Sequence, residues 1–231
     1  MWTASLSKGV FMAKIKKFII TYPQILLLAY WPVHGVWYYL LQQTTMGRDP
    51  IPIVCGFDSV IPFCEWFVIP YIMWYVQLAL MGFYTFFKRP SKFFRLSIMV
   101  AGGAFVCMLI CSLLPMYFDR SGMEAFPREN LLVEGVKLIR GIDPPTTVLP
   151  SMHVYVSVAL HVCLCKDEIL SSRKALKYSS LVLSVLITLS TVFIKQHSVI
   201  DVVAALILIP IMYCIAYLPK YTKSCSFFKA D

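Results

Sequence analysis

Residues 198–218 read SVIDVVAALILIPIMYCIAYL. Beyond Asp201 this run carries no charge, and at about 1.5 Å of rise per residue it is long enough to cross about 30 Å of hydrocarbon as a helix. Five further apolar runs lie upstream, at roughly 18–42, 65–87, 94–117, 149–165 and 178–194. They account for most of a chain of 231 residues in which 59% are apolar and 14% are charged, against about 25% charged in an average soluble domain. A water-soluble globule of this size cannot hide so much apolar surface, and there is too much to bury for the chain to stay disordered. The sequence therefore predicts an all-α, polytopic membrane bundle of six transmembrane helices spanning 18–231, with no separate soluble domain.

Charge orients the bundle. The net charge of +9 comes from 21 Lys and Arg against 12 Asp and Glu. In a membrane protein that excess is read through the preference of basic residues for the cytoplasmic side, so nucleic acid is not expected as a partner. With a cytoplasmic N-terminus, the inner segments hold Lys8, Lys14, Lys16, Lys17, Lys88, Arg89, Lys92, Arg95, Lys166, Arg173, Lys174, Lys177, Lys220, Lys223 and Lys229. The outer side keeps Arg48, Arg120, Arg128, Lys137, Arg140 and Lys195. Both termini are thus expected in the cytoplasm, with loops 43–64 and 118–148 outside. Residues 1–17 form a basic N-terminal segment. Either Trp2, Leu6, Val10 and Phe11 face lipid while the lysines meet anionic head groups, or the segment is a solvated tail. The apolar stretch behind it is too long for a signal peptide.

The eight cysteines do not form a disulfide framework. Cys107, Cys111, Cys163 and Cys214 fall inside apolar runs and act as small hydrophobes. Cys55 and Cys64 share an outer loop, and a bond between them requires an oxidising outer side. That loop also carries Ile51, Ile53, Val54, Phe57, Val60 and Ile61, which is too apolar for a free loop and suits the membrane surface. Ala101-Gly102-Gly103-Ala104 lets helices approach closely. His34, Gln77 and His161 are intramembrane polar residues outside any cluster, for which structural hydrogen bonding is expected.

Two motifs carry chemistry, within 118–201. Pro150-Ser151-Met152-His153 opens the fourth run. Proline suits a helix start, and the free N–H groups of a first turn make an anion site, to which Ser151 adds a hydroxyl and His153 an imidazole. His197-Ser198-Val199-Ile200-Asp201 opens the sixth run. The i,i+4 spacing puts His197 and Asp201 on one face. A carboxylate bonded to one ring nitrogen fixes the tautomer, leaves the other nitrogen free to attack, and stabilises the cation formed afterwards. The expected topology brings both histidines to the outer face. Arg120 and Lys195 add positive charge there, and a guanidinium suits a phosphate. Taken singly, each piece has an ordinary structural explanation. Together on one face, they point to a phosphate site.

Pro150-Ser151-Met152-His153 resembles the Pro-Ser-Gly-His motif of the type 2 phosphatidic acid phosphatase superfamily. Ser190 through His197 to Asp201 resembles its third motif, Ser-Arg-x5-His-x3-Asp. The resemblance covers roughly 94–218. Met152 stands in place of the glycine and Thr191 in place of the third-motif arginine. The first motif, Lys-x6-Arg-Pro, is not intact: Lys88-Arg89-Pro90 lies on the inner side, and Arg120 is the better counterpart. These departures look closer to the branch of inositol-phosphorylceramide synthases and similar sphingolipid head-group transferases.

The resemblance implies that His197 attacks a lipid phosphorus to form a phosphohistidine, Asp201 holds its ring, and His153 serves as acid and then base. Arg120, Ser151 and Lys195 hold the phosphate. It implies a multi-pass enzyme acting on the extracytoplasmic or lumenal face, upon a phospholipid or a polyprenyl or sphingolipid phosphate. No cofactor and no metal are implied, and no outer carboxylate cluster suits two Mg²⁺ ions. Three functions follow: a lipid phosphate phosphatase with water as acceptor, a transferase to an alcohol such as a ceramide or diacylglycerol, and a non-catalytic lipid-binding or transport protein. The oligomeric state is open, a homodimer included.

Overall fold

A computed structural model describes residues 13–14, 16–121 and 126–218 of the chain. Trp2, Leu6, Lys8, Val10, Phe11, Glu124, Lys220, Lys223, Cys225 and Lys229 lie outside the described residues. The protein is mostly helical. After a 3-10 stretch, Pro23–Ala29, come α1 (Tyr30–Thr44), α2 (Gly56–Val60), α3 (Val68–Lys88) and α4 (Pro90–Leu113, with a π-helical turn at Ile98–Gly102). There follow α5 (Leu131–Ile142), α6 (Met152–Cys165), α7 (Glu168–Ser172), α8 (Lys174–Phe193) and α9 (Val199–Tyr217).

Four of the six apolar runs form helices long and apolar enough to cross a membrane: Glu65–Lys88, which is α3 with a leading 3-10 turn, then α4, α8 and α9. The other two fall short for local reasons. In the first run the 3-10 stretch, with Pro23 at its start, precedes an α1 of 15 residues. In the fourth, Ser151 is still extended, so α6 begins at Met152 and has 14 residues, about 21 Å of rise.

The short α6 is nonetheless the centre of the bundle. It packs against α3, α4, α8 and α9, and Val154, Tyr155, Val156, Ser157, Ala159 and Leu160 are all buried. A helix apolar and buried on nearly every side belongs to the core of its bundle. The surrounding helices turn large apolar side chains outward, among them Leu80, Phe83, Val182 and Ile207. Exposed apolar surface on this scale marks membrane association.

The small residues of α4 have the close-packing role expected of them. The Tyr155 hydroxyl donates to the Met99 carbonyl (2.6 Å) in the π turn. The Tyr155 ring lies so near Gly103 that a Cβ there would stand 2.0 Å from its Cζ. His34, Gln77 and His161 also take structural partners, Tyr30, Ser184 and Ser180.

The two ends of the bundle differ chemically. At one, Arg89 and Lys92, in the α3–α4 turn and the first turns of α4, pair with Glu168 (3.2 and 2.7 Å), and Arg89 also reaches Asp167 (3.8 Å). The opposite end carries the long loops. Here a short β1 (Ile51–Ile53) pairs in parallel with β2 (Met116–Phe118), Ile51 opposite Met116, a small addition to an otherwise helical protein. Ile53, Met116, Phe118 and Val148 form a small buried cluster, which accounts for part of the apolar character of loop 43–64. Phe57 and Val60 remain exposed. Cys55 and Cys64 are free thiols, and Cys107, Cys111 and Cys163 are buried.

The Gly103–Tyr155 contact makes a prediction. Gly103→Ala should lower stability by about 1–3 kcal/mol, the usual penalty for overpacking. Gly47→Ala, where a Cβ meets nothing within 4 Å, should be near neutral. Thermal unfolding in detergent checks this, and equal midpoints for the two variants would contradict the packing described.

Candidate functional site

The site grows from the start of α9. Ser198 caps that helix, its hydroxyl accepting from the Ile200 N–H (3.2 Å), and Asp201 completes a capping box by accepting the Ser198 N–H on Oδ2 (3.0 Å). The same Oδ2 lies 3.2 Å from Nδ1 of His197. Since a carboxylate only accepts, the proton sits on Nδ1 and leaves the Nε2 lone pair free. The backbone of Asp201 does a third job: its carbonyl accepts the Ser151 N–H (3.2 Å). This bond ties the start of α9 to the segment that opens α6, and so to His153. The two imidazole centroids stand 6.0 Å apart, at 56°.

His153 has a wall of its own. Tyr71 and Trp74 of α3 lie against its ring at 4.3 and 4.7 Å between centroids. The Tyr71 hydroxyl donates to Asp143 Oδ2 (3.1 Å) and lies 3.4 Å from His153 Nδ1. With its one proton committed to the carboxylate, the Tyr71 oxygen is the acceptor for the His153 Nδ1–H. Nε2 of His153 is buried with no hydrogen-bond partner among the described residues, as are the Ser151 hydroxyl and Oδ1 of Asp201. Buried polar atoms are nearly always paired, which sets these three apart.

Arg120 belongs to the same end. It is buried and donates through Nη2 to Oε1 of Gln196, the neighbour of His197. Gln196 in turn donates to the Asp143 carbonyl (3.1 Å). The Asp143 carboxylate is gripped by the Tyr38 and Tyr71 hydroxyls. Arg120, Gln196, Asp143, Tyr71 and His153 thus form one connected chain of contacts.

Lys195 is buried and turned toward loop 43–64. Its ammonium donates to the carbonyls of Asp58 and Ile61 (both 2.5 Å), which fastens loop 43–64 over the turn between α8 and α9. Burial pushes its pKa below the ordinary lysine value, with Asp58 opposing and Arg140 adding to the effect. Lys195 also has a positive φ of 58°, which costs free energy in a residue with a Cβ. The Thr191 carbonyl closes the same turn by accepting the N–H groups of Gln196 (2.9 Å) and His197 (3.0 Å).

Asp58 is the functional-end residue that sequence reasoning missed. It is buried, accepts the Ser198 hydroxyl (2.6 Å) and the N–H groups of Val199 (2.9 Å) and Cys55 (2.7 Å), and so clamps the cap of α9. Its signal was a carboxylate set among apolar residues, Phe57, Val60 and Ile61, which must find donors when buried. Asp143, Tyr71 and Gln196 were missed as well, because their partners are distant in sequence. Among the described residues no group of three or more His, Cys, Asp or Glu is arranged to hold a metal ion.

Comparison of the chain with family models, curated proteins and solved structures finds no match.

Burial acts to raise the Asp58 pKa, but the bonds from Ser198, Cys55 and Val199 outweigh it and hold the carboxyl below its usual value. A depressed folded-state pKa adds stability above the unfolded value, about 3.9, that is lost as pH falls through the folded value. Asp58→Asn should therefore lower stability at neutral pH by about 1–3 kcal/mol and flatten the acid limb of a stability-versus-pH curve below about pH 4. An unchanged acid limb would contradict the clamp.

Proposed function

We propose that the protein is a membrane-embedded enzyme that cleaves a lipid phosphoester through a phosphohistidine on His197. The observation that carries this is the 6.0 Å separation of the His153 and His197 rings, one of them backed by Asp201 at 3.2 Å. With Nδ1–H of His197 held by Asp201, the Nε2 lone pair attacks phosphorus, and the positive ring that results is stabilised by the carboxylate. The bond from phosphorus to the lipid oxygen breaks as that oxygen takes the Nε2 proton of His153. In the second half, His153 Nε2 removes a proton from water. The resulting hydroxyl bonds to phosphorus, and the phosphorus–nitrogen bond to His197 breaks. Tyr71, itself bonded to Asp143, accepts from the Nδ1 side of His153 and so orients its ring with Nε2 toward the reaction. Arg120, Ser151 and the first-turn N–H groups of α6 offer donors to the phosphoryl oxygens. Lys195 acts as a positioning residue, through the loop it fastens. No metal or cofactor enters this scheme.

Six membrane crossings, with both termini in the cytoplasm and the histidines outside, complete the proposal. Its support is the charge asymmetry between the two sets of loops and the clustering of Arg89, Lys92, Asp167 and Glu168 at the end away from the histidines. A second acceptor, a lipid alcohol in place of water, is favoured by the burial of His197, Arg120, Ser151 and Asp201, since a covered phosphohistidine is shielded from bulk water.

Purified protein with phosphatidic acid or prenyl pyrophosphate should release phosphate, or form a new lipid phosphodiester if an alcohol is the acceptor. His197→Ala should abolish turnover, and His153→Gln should reduce it by about 10²–10⁴-fold. A radiolabelled phosphoryl group should be trapped as an acid-labile adduct that His197→Ala lacks. Full turnover in a folded His197→Ala protein would overturn the proposal, and intact lipids under wild-type protein would favour a non-catalytic lipid-binding role.

A further inference from the structure

A groove of about 360 Å³ runs between α3, α6, α7 and α8. Its walls are almost wholly apolar, with Met73, Leu80, Leu160, Leu164 and Leu183 among them, and Gln77 stands in the wall. Two of its walls, α3 and α8, are helices long and apolar enough to cross a membrane.

Gln77 is buried, and its two amide atoms have different fates. The Ser184 hydroxyl donates to the Ser157 carbonyl (2.9 Å), so its single proton is committed. Ser184 Oγ is therefore an acceptor toward Gln77, and the Gln77 atom facing it at 3.2 Å must be the N–H donor, Nε2. This fixes the amide orientation. It leaves Oε1 as a buried acceptor without a partner among the described residues. An unpaired amide oxygen in an apolar setting is costly, and the space beside Gln77 is the groove.

We infer that this groove is a binding site for a lipid chain that donates a hydrogen bond, from a hydroxyl or an amide N–H, to Oε1 of Gln77. The groove also lines up with the histidines. Trp74, which lies against His153, is one helical turn before Gln77 on α3. Leu160 and Leu164 follow His153 by seven and eleven residues, along one stripe of α6, so the nearer is about 10 Å deeper. A chain in the groove leads toward the imidazole pair. The inference concerns binding and stands whether or not the histidines cleave a phosphoester.

Two probes of equal length separate the donor from the chain: N-hexadecyl hexadecanamide, which has one N–H, and hexadecyl hexadecanoate, which has an ester oxygen at that position. The full-length protein in detergent is loaded with each, and retained lipid is counted by native mass spectrometry. The wild type should retain the amide at least about tenfold better than the ester, because a site built around a hydrogen bond rejects the analogue lacking it. Gln77→Leu should bring that ratio to near one. Leu80→Trp, at an exposed position of the groove, should lower retention of both probes while leaving Gln77 and Ser184 in place. Equal retention of amide and ester by the wild type, retention of neither, or a preference that persists in a folded Gln77→Leu protein would each overturn the inference.

Discussion

Asp201 joins the two histidine segments directly. Asp201 accepts the Ser198 N–H and faces His197 with its side chain, and accepts the Ser151 N–H with its backbone. A carboxylate at the edge of an apolar helix is expensive to bury unless it is well partnered. Here the partners are the groups the site needs in fixed positions. The capping box orders the first turn of α9, the ring contact sets the tautomer of His197, and the backbone bond brings the start of α6 alongside. That last bond fixes the start of α6 against the start of α9, and the packing of the two helices carries the register onward.

Around this junction the loops act as clamps. Asp58 reaches across the sequence to the cap of α9, and Lys195 reaches back to the carbonyls of Asp58 and Ile61. The two contacts reinforce each other, since each fixes the segment that carries the other. Asp143 plays the corresponding part for α6, through Tyr71 to His153 and through Gln196 to the residue beside His197. A site built at the ends of rigid helices gains precision from such supports.

Much of this was legible in the sequence, and the rest was not for identifiable reasons. The apolar runs showed as helices because a membrane-length stretch needs no partner to declare itself. The His197–Asp201 pair and the cap at Ser198 were readable because helical spacing alone brings them together. The contraction of the fourth run into the short α6, and the breaking of the first by a 3-10 stretch, depend on backbone geometry around Pro150 and Pro23 that hydropathy does not register. Asp58 is 140 residues from Ser198, and no local pattern pairs them. The direction of Lys195 was not legible either: its ammonium donates to the carbonyls of Asp58 and Ile61, more than 130 residues away in loop 43–64.

The central claim is that two imidazoles from separate helices share one tetrahedral phosphorus. Orthovanadate, which takes the five-coordinate geometry of phosphoryl transfer, tests it through equilibrium binding to the detergent-solubilised protein. One vanadate per chain, with affinity lost on removing either His153 or His197, is the expected result. Binding that survives the loss of either ring, or two independent sites each needing only one of them, would contradict it.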